Sequence, residues 1–155
     1  LGIDTDVIGC GVFRPSVATA GVIFYLVPVA RPEVLRQAQP NFDSWTETFP
    51  LGHNSVYVYT ATPGEADNDF AARMFGPGMG LSEDPATGAA AAALICELAA
   101  QAGDGMTDYV IRQGVEMGRP SRIEVQIRKD GDQLVHAGIG GDAVIIGEGT
   151  LDLDF

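Results

Sequence analysis

The chain has 155 residues, of which 46% are apolar, enough to build the core of one globular domain. Twenty-one acidic residues against nine basic ones give a net charge of -12. Such a surface repels phosphate backbones and anionic lipid headgroups, so neither nucleic acid nor membrane is expected as a partner. Cys10 and Cys96 form no C-x-x-C pair, which favours a reducing compartment, and we expect the cytoplasm. The chain starts at Leu1 without a signal pattern, so we expect it to begin inside a longer protein.

The first half of the chain is dominated by β-branched and aromatic runs. These runs predict strands over residues 7–13, 22–29, 55–62 and 69–75. Pro32 suits the first turn of a helix, and we expect a short helix to about Gln39. Residues 40–50 are predicted to be irregular or to form a single helical turn. The glycine-rich stretch 76–80 lacks the G-x-G-x-x-G spacing of a nucleotide loop and is predicted to be a connection or lid.

One long helix is predicted over residues 86–102, followed by Gly103 in the usual position after a helix. Its side chains are small or apolar all round, which is typical of a buried helix. Further strands are predicted over residues 108–113, 121–128, 133–139, 143–146 and 150–153. Residues 121–128 alternate apolar and polar, as in an antiparallel strand with one solvated face. The predicted fold class is therefore α+β, a mixed or antiparallel sheet around one buried central helix.

The start of the long helix allows two interpretations. In the first, Asp84 is the N-cap and Pro85 the first helical residue, which is a complete structural explanation. In the second, the helix start faces a ligand: the backbone N–H groups of Thr87, Gly88 and Ala89 hold an anion, with a carboxylate beside them for proton transfer. Glu83 adds a second acidic residue that a cap does not require.

Other polar residues give weaker signals. Arg119 and Glu116 lie in a turn rich in glycine and could form a surface ion pair, or Arg119 could contact an anionic substrate group. The two histidines, His53 and His136, have no metal-ligand spacing with the cysteines, so no metal site is predicted. A G-x-S-x-G nucleophile motif is also absent from the sequence.

Three segments together resemble one family: E-D-P-A-T-G-A at 83–89, Q-G-V-E-M-G-R-P-S at 113–121 and G-G-D-A-V at 140–144. Their order and spacing are similar to those of the C-terminal domain of the phenazine-biosynthesis (PhzF-like) isomerases, over essentially the whole chain. The resemblance implies a diaminopimelate-epimerase-like fold of two similar domains, each a sheet around a central helix, with the active site in the cleft between them. Residues 1–155 would be a single domain, the C-terminal half, with the N-terminal domain absent from this chain.

The resemblance also implies a cofactor-independent, dimeric isomerase that moves a proton on a small anionic carboxylate. Asp84 matches the motif aspartate and would be the catalytic residue that polarises or positions substrate; Thr87, Gly88 and Ala89 would bind it. The acid–base glutamate of the family belongs to the N-terminal domain. Ala89 departs from the serine usual in the family, so the alternative is a binding or interaction protein that keeps the fold without catalysis. A two-thiol racemase is disfavoured, because no cysteine lies at the helix start.

Overall fold

A computed structural model describes residues 1–153 of the chain. The eight strands are β1 (Ser16–Thr19), β2 (Ile23–Pro28), β3 (Val56–Ala61), β4 (Phe70–Gly76), β5 (Leu81–Asp84), β6 (Gly105–Gln113), β7 (Ser121–Asp130) and β8 (Gln133–Gly141). The helices are α1 (Pro32–Gln37), α2 (Trp45–Thr48) and α3 (Gly88–Gln101), with short 3-10 turns at Thr5–Val7, Phe42–Ser44 and Pro77–Met79.

The strands form one mixed sheet in the order β1-β2-β3-β4-β6-β7-β8, with β5 paired to β4 off this path. The pairs β2/β3 and β4/β6 are parallel and the other neighbouring pairs are antiparallel. Helix α3 contacts β1 and β2 at one end of this order and β7 and β8 at the other. Seven flat strands would span about 29 Å, whereas a helix is about 10 Å wide. The sheet is therefore curled toward α3.

Helix α3 is buried on the side that faces the sheet. Ala89, Cys96 and Ala100 are exposed or partly exposed and lie along its other side, so within residues 1–153 the helix is not enclosed all round. The apolar sequence of α3 thus supplies both a buried face and a small-residue face open to solvent. Its buried residues are Ala90, Ala91, Ala93, Leu94, Ile95, Leu98 and Ala99.

The opposite face of the sheet carries a second core under α1 and α2. Trp45 is buried there and its indole N–H donates to the Asn54 carbonyl (2.6 Å), as a buried indole requires. The apolar members of this core are Val27, Val29, Val34, Leu35, Ala38, Trp45, Val56, Val58 and Phe75. The predicted short helix after Pro32 and the single helical turn within residues 40–50 both match the observed elements.

The predicted strand at residues 7–13 is wrong. Only isolated bridges occur there, Ile8 with Val29 and Cys10 with Phe13. Gly9 and Gly11 have φ of 117° and 56°, which interrupts the extended conformation that a ladder needs. Strands β1 and β5 were not predicted, because each has four residues and neither has an apolar run.

The predicted strands at residues 143–146 and 150–153 are also wrong, since residues 142–153 contain no regular secondary structure. The side chains of Val144, Ile145 and Ile146 are 84%, 84% and 96% exposed. β-Branched residues favour strands when neighbouring strands cover them, and no strand lies beyond β8 within residues 1–153.

None of the helices described within residues 1–153 is long and apolar enough to cross a bilayer.

Candidate functional site at the start of helix α3

Strand β5 ends at Asp84, and α3 begins four residues later at Gly88. Thr87 is the N-cap residue, and its own side chain makes no capping hydrogen bond. The interpretation of Asp84 as the N-cap with Pro85 in the first turn is therefore wrong. Asp84 is held in β5 by pairing with Met74 of β4, and this pairing keeps the chain extended where a cap was expected.

Glu83 and Asp84 point to opposite faces of the sheet, as successive strand residues do. Glu83 receives two hydrogen bonds of 2.8 Å from the Arg73 guanidinium, and both side chains are largely buried. Arg73 also donates to the carbonyls of Leu35 (3.2 Å) and Ala38 (2.9 Å) at the end of α1. The hydrogen bond with Glu83 raises the pKa of Arg73. Glu83 thus belongs to a structural ion pair that ties β5 to α1, and its charge is directed away from the helix start.

Asp84 lies on the α3 side and is joined to a buried network. The Thr87 hydroxyl donates to Asp84 Oδ2 (2.6 Å). The side-chain amide of Gln113, at the end of β6, donates from Nε2 to the Asp84 carbonyl (2.7 Å) and to Thr87 Oγ1 (2.9 Å). Its Oε1 accepts from the Thr87 N–H (3.3 Å). Gln113 has no solvent exposure and Thr87 is 9% exposed, so these bonds compensate the burial of two polar side chains.

The network changes which backbone amides are available at the helix start. The Thr87 N–H, predicted to help hold an anion, is occupied by Gln113. The N–H groups of Ala90 and Ala91 both bond to the Thr87 carbonyl at 3.1 Å. Within residues 1–153 the N–H groups of Gly88 and Ala89 have no hydrogen-bond partner, as expected for the first turn of a helix. Gly88 and Ala89 are therefore the two residues that offer free donors.

A cleft of about 470 Å³ opens beside this helix start. Gly88 lies on one wall and Ile139, Gly140, Gly141 and Asp142 on the other, so the predicted helix start and the glycine pair of β8 face the same space. Gly88 is the one predicted site residue that lines the cleft, and Asp84, Thr87 and Ala89 lie within two residues of its lining in the sequence. The full lining is Ala86, Gly88, Pro120, Ser121, Arg122, Ile123, Ile139, Gly140, Gly141 and Asp142.

The turn between β6 and β7 packs against residues 84–87. Gly114 has φ of 78°, and a Cβ atom on it would lie 2.8 Å from the Pro85 carbonyl oxygen and 2.3 Å from that of Arg119. The Ser121 hydroxyl donates to the same Pro85 carbonyl (2.6 Å). Arg119 is exposed and forms no ion pair with Glu116 within residues 1–153. The turn thus supports the path of the chain into α3.

The sequence did not reveal the individual roles of three residues around the site: Arg73, Gln113 and Ser121. Gln113 could have been found, because it follows Ile111 at the strand period of two and so takes an inward position that is normally apolar. No local pattern marks Arg73, whose partner Glu83 is ten residues away on an adjacent strand. Ser121 lies at the start of a strand, where a serine carries little information.

Comparison with known proteins shows a match between residues 4–149 and the family model of phenazine biosynthesis-like proteins, PhzC-PhzF. The chain belongs to this family. An uncharacterized isomerase of Mesorhizobium japonicum is 37% identical over 97% of this chain and 52% of its own length. The trans-2,3-dihydro-3-hydroxyanthranilate isomerase of Pseudomonas chlororaphis is 40% identical over 52% of this chain and 30% of its own length.

Solved structures agree with this assignment at the level of the fold. A PhzF-family phenazine biosynthesis protein of Bacillus anthracis superimposes with a TM-score of 0.72 at 19% identity, over 90% of this chain and 52% of that one. A predicted epimerase of Pseudomonas aeruginosa gives a TM-score of 0.55 at 27% identity, over 86% of this chain and 46% of that one. The chain spans about half the length of the curated relatives that match most of it.

Proposed function

We propose that this chain supplies one wall of the active-site cleft of a cofactor-independent isomerase that moves a proton on a small carboxylate substrate. The observation that carries the proposal is the free amides of Gly88 and Ala89 at the start of α3, where Gly88 lines a cleft and the Asp84 carboxylate is held nearby by Thr87. Relatives named as isomerases, one of them acting on trans-2,3-dihydro-3-hydroxyanthranilate, support the reaction class.

In this proposal the substrate carboxylate binds the Gly88 and Ala89 amides, and the helix dipole adds a favourable field. The net charge of -12 opposes an anion, but charges beyond about 8 Å are largely screened at physiological salt. Asp84 orients or polarises the substrate from the end of β5. The proton-transferring glutamate, which the family resemblance assigns to the N-terminal domain, would come from outside this chain.

The proposed partner is that N-terminal domain, since matched relatives are about twice as long as the aligned region. It would cover the solvent-facing side of α3 and the apolar side chains of residues 144–153. The two-domain protein would form a homodimer in the cytoplasm, and this chain by itself would not turn substrate over.

Proton transfer can be tested directly by NMR detection of deuterium incorporation from D₂O into small carboxylates, including trans-2,3-dihydro-3-hydroxyanthranilate. We expect incorporation when this chain is joined to an N-terminal half of the family and none with the chain alone. Asp84→Asn should lower the rate of the joined protein about a hundredfold, the loss expected when a substrate is no longer held in its reactive position. Asp108→Asn, on the exposed face of β6, is the charge-matched control. Turnover by the chain alone that Asp84→Asn abolishes would overturn the proposed division of the site.

A non-catalytic binding protein is the second candidate function. Ala89 favours it, because its methyl group cannot supply the hydrogen bond of the serine that the family resemblance expects there. If this candidate is right, the joined protein binds the carboxylate but incorporates no deuterium into it. Restoration of exchange by Ala89→Ser would identify the missing hydroxyl as the reason.

A further inference from the structure

We infer that Gln113 is the positioning residue of this site: its side-chain amide fixes the orientation of Asp84 and the path of the chain into α3. Gln113 does not line the cleft, so its action goes through Thr87 and Asp84. The inference rests on the proposed function, which gives the orientation of Asp84 its purpose.

The first step is the choice of a polar residue at this position. Gln113 is completely buried at the end of β6, where an amide without hydrogen-bond partners would destabilise the fold. All the bonds of its side-chain amide go to Asp84 and Thr87. An apolar side chain of similar length would fill the same volume but would leave the Asp84 carbonyl and the Thr87 N–H without this partner. The amide is therefore explained by what it holds in place.

The second step is the direction of the hydrogen bonds. The Asp84 carbonyl can only accept a hydrogen bond and the Thr87 N–H can only donate one. Nε2 of Gln113 must therefore face the Asp84 carbonyl, and its Oε1 must face the Thr87 N–H. Nε2 also donates to Thr87 Oγ1 (2.9 Å). Because this hydroxyl oxygen already accepts from Gln113, its own hydrogen points to Asp84 Oδ2 (2.6 Å). One amide thus sets the rotamer of Thr87 and, through it, the orientation of the Asp84 carboxylate.

The third step concerns the free amides. Gln113 holds the Asp84 carbonyl and the Thr87 N–H at the two ends of the connection between β5 and α3. The Asp84 side chain is turned toward the Thr87 hydroxyl, and it makes no bond to the first amides of the helix. The Gly88 and Ala89 donors consequently have no hydrogen-bond partner within residues 1–153, and Gly88 lines the cleft. Loss of the Gln113 amide would allow Asp84 to turn and occupy them, as N-cap aspartates do.

The test uses the chain with inorganic phosphate as the probe and the ¹H–¹⁵N NMR shifts of Gly88 and Ala89 as the signal. Gln113→Met keeps the length of the side chain and removes its hydrogen bonds, and Gln126→Met on the exposed face of β7 is the matched control. We expect phosphate binding to weaken at least about tenfold in Gln113→Met, the size of one lost hydrogen bond to a charged group, and to stay unchanged in Gln126→Met. Wild-type affinity in a folded Gln113→Met would overturn the inference.

A second readout separates this inference from the proposed function. The χ1 coupling constants of Asp84 should report one rotamer in the wild type and rotamer averaging in Gln113→Met. If the wild type binds no phosphate, the proposed anion site fails, whereas the Asp84 rotamers still decide the role of Gln113. If Gln113→Met does not fold, Thr87→Val removes the same relay with little change in shape and should also release Asp84, whereas Thr87→Ser should keep it fixed. A single Asp84 rotamer in Thr87→Val would contradict the relay.

Discussion

Tyr57 and Tyr59 are neighbours on the α3-facing side of β3, yet their hydroxyl groups have different surroundings. The Tyr59 hydroxyl donates to Glu97 of α3, which also accepts from the Ser16 hydroxyl. The Tyr57 hydroxyl is buried and has no hydrogen-bond partner within residues 1–153. Glu97 is the only charged residue of α3, so its two hydroxyl contacts connect the helix to β1 and β3.

The difference predicts opposite effects of two matched substitutions on the free energy of unfolding. Tyr57→Phe removes an unpaired buried hydroxyl and should stabilise the chain by about 1 kcal/mol. Tyr59→Phe leaves the Glu97 carboxylate with one partner fewer and should destabilise it by about 1–2 kcal/mol. Urea unfolding monitored by circular dichroism measures both. Equal effects of the same sign would show that the two hydroxyl environments do not differ as described.

From the burial of Tyr57 we also expect the free energy of unfolding to decrease at alkaline pH. Burial raises the pKa of Tyr57 well above its ordinary value of about 10. Above pH 10 the unfolded tyrosine loses its proton while the folded one keeps it, so the unfolded state binds fewer protons and stability falls as pH rises. The decrease should be about 1.4 kcal/mol per pH unit. Tyr57→Phe should reduce the slope of unfolding free energy against pH by this amount above about pH 10 and leave it unchanged below about pH 9. If the slope above about pH 10 is the same in Tyr57→Phe and the wild type, the burial of Tyr57 is contradicted.

At the scale of elements, the Arg73–Glu83 pair joins β4, β5 and the end of α1. Both side chains are mostly shielded from solvent, at 10% and 14% exposure. Replacement of Glu83 by Leu leaves the guanidinium buried without its counter-charge, which we expect to cost about 3 kcal/mol of unfolding free energy. Glu124→Leu breaks the exposed ion pair with Arg122, and this should change the free energy of unfolding by less than about 1 kcal/mol. Similar losses in the two variants would mean that the buried pair gives no special stability.

The turn between β6 and β7 contains two glycines with positive φ that can be compared directly. Gly118 has φ of 68° and open space around it, whereas Gly114 has φ of 78° and two carbonyl oxygens in the place of a Cβ. Gly118→Ala should therefore cost only the backbone term of about 1–2 kcal/mol. Gly114→Ala must also displace Pro85 and should cost clearly more, with shifted NMR signals at Gly88. A smaller loss for Gly114→Ala than for Gly118→Ala would contradict this packing.

At the scale of the whole molecule, the four most exposed large apolar side chains within residues 1–153 are Val144, Ile145, Ile146 and Leu151. Ile145 and Ile146 are 84% and 96% exposed, and apolar surface of this kind marks an interaction site in most folded proteins. We expect the chain to self-associate in a concentration-dependent way when no N-terminal half is present.

Sedimentation velocity over a range of concentrations measures this association. The double variant Ile145→Lys, Ile146→Lys should sediment as a smaller species than the wild type at equal concentration. Val12→Lys is the control, because Val12 is 65% exposed on a different part of the chain and should leave association unchanged. A wild-type chain that stays monomeric at high concentration would count against both the exposed interface and the two-domain proposal.

Features that depend on near neighbours in the chain could be predicted from the amino-acid sequence. The long run of small and apolar side chains predicted the helix now seen at Gly88–Gln101, and the period of two predicted the strand at Ser121–Asp130. Free amides were predicted at Thr87, Gly88 and Ala89 because helix ends lack internal partners wherever they occur. Within residues 1–153 those of Gly88 and Ala89 have no partner, whereas that of Thr87 donates to Gln113. The family followed from three short motifs whose order and spacing need no structure.

Contacts between distant segments decide which way each acidic residue points and what holds it, and sequence patterns do not contain them. Asp84 is the last residue of β5 and not a helix cap, because it pairs with Met74 of β4, ten residues earlier in the chain. Glu83 faces a buried arginine, and Gln113 reaches Thr87 across 26 residues of sequence. Residues 142–153 have strand-forming side chains but no strand, because β-structure requires a neighbour that local sequence cannot supply. Such contacts exist only once the strands have paired and α3 has packed against the sheet.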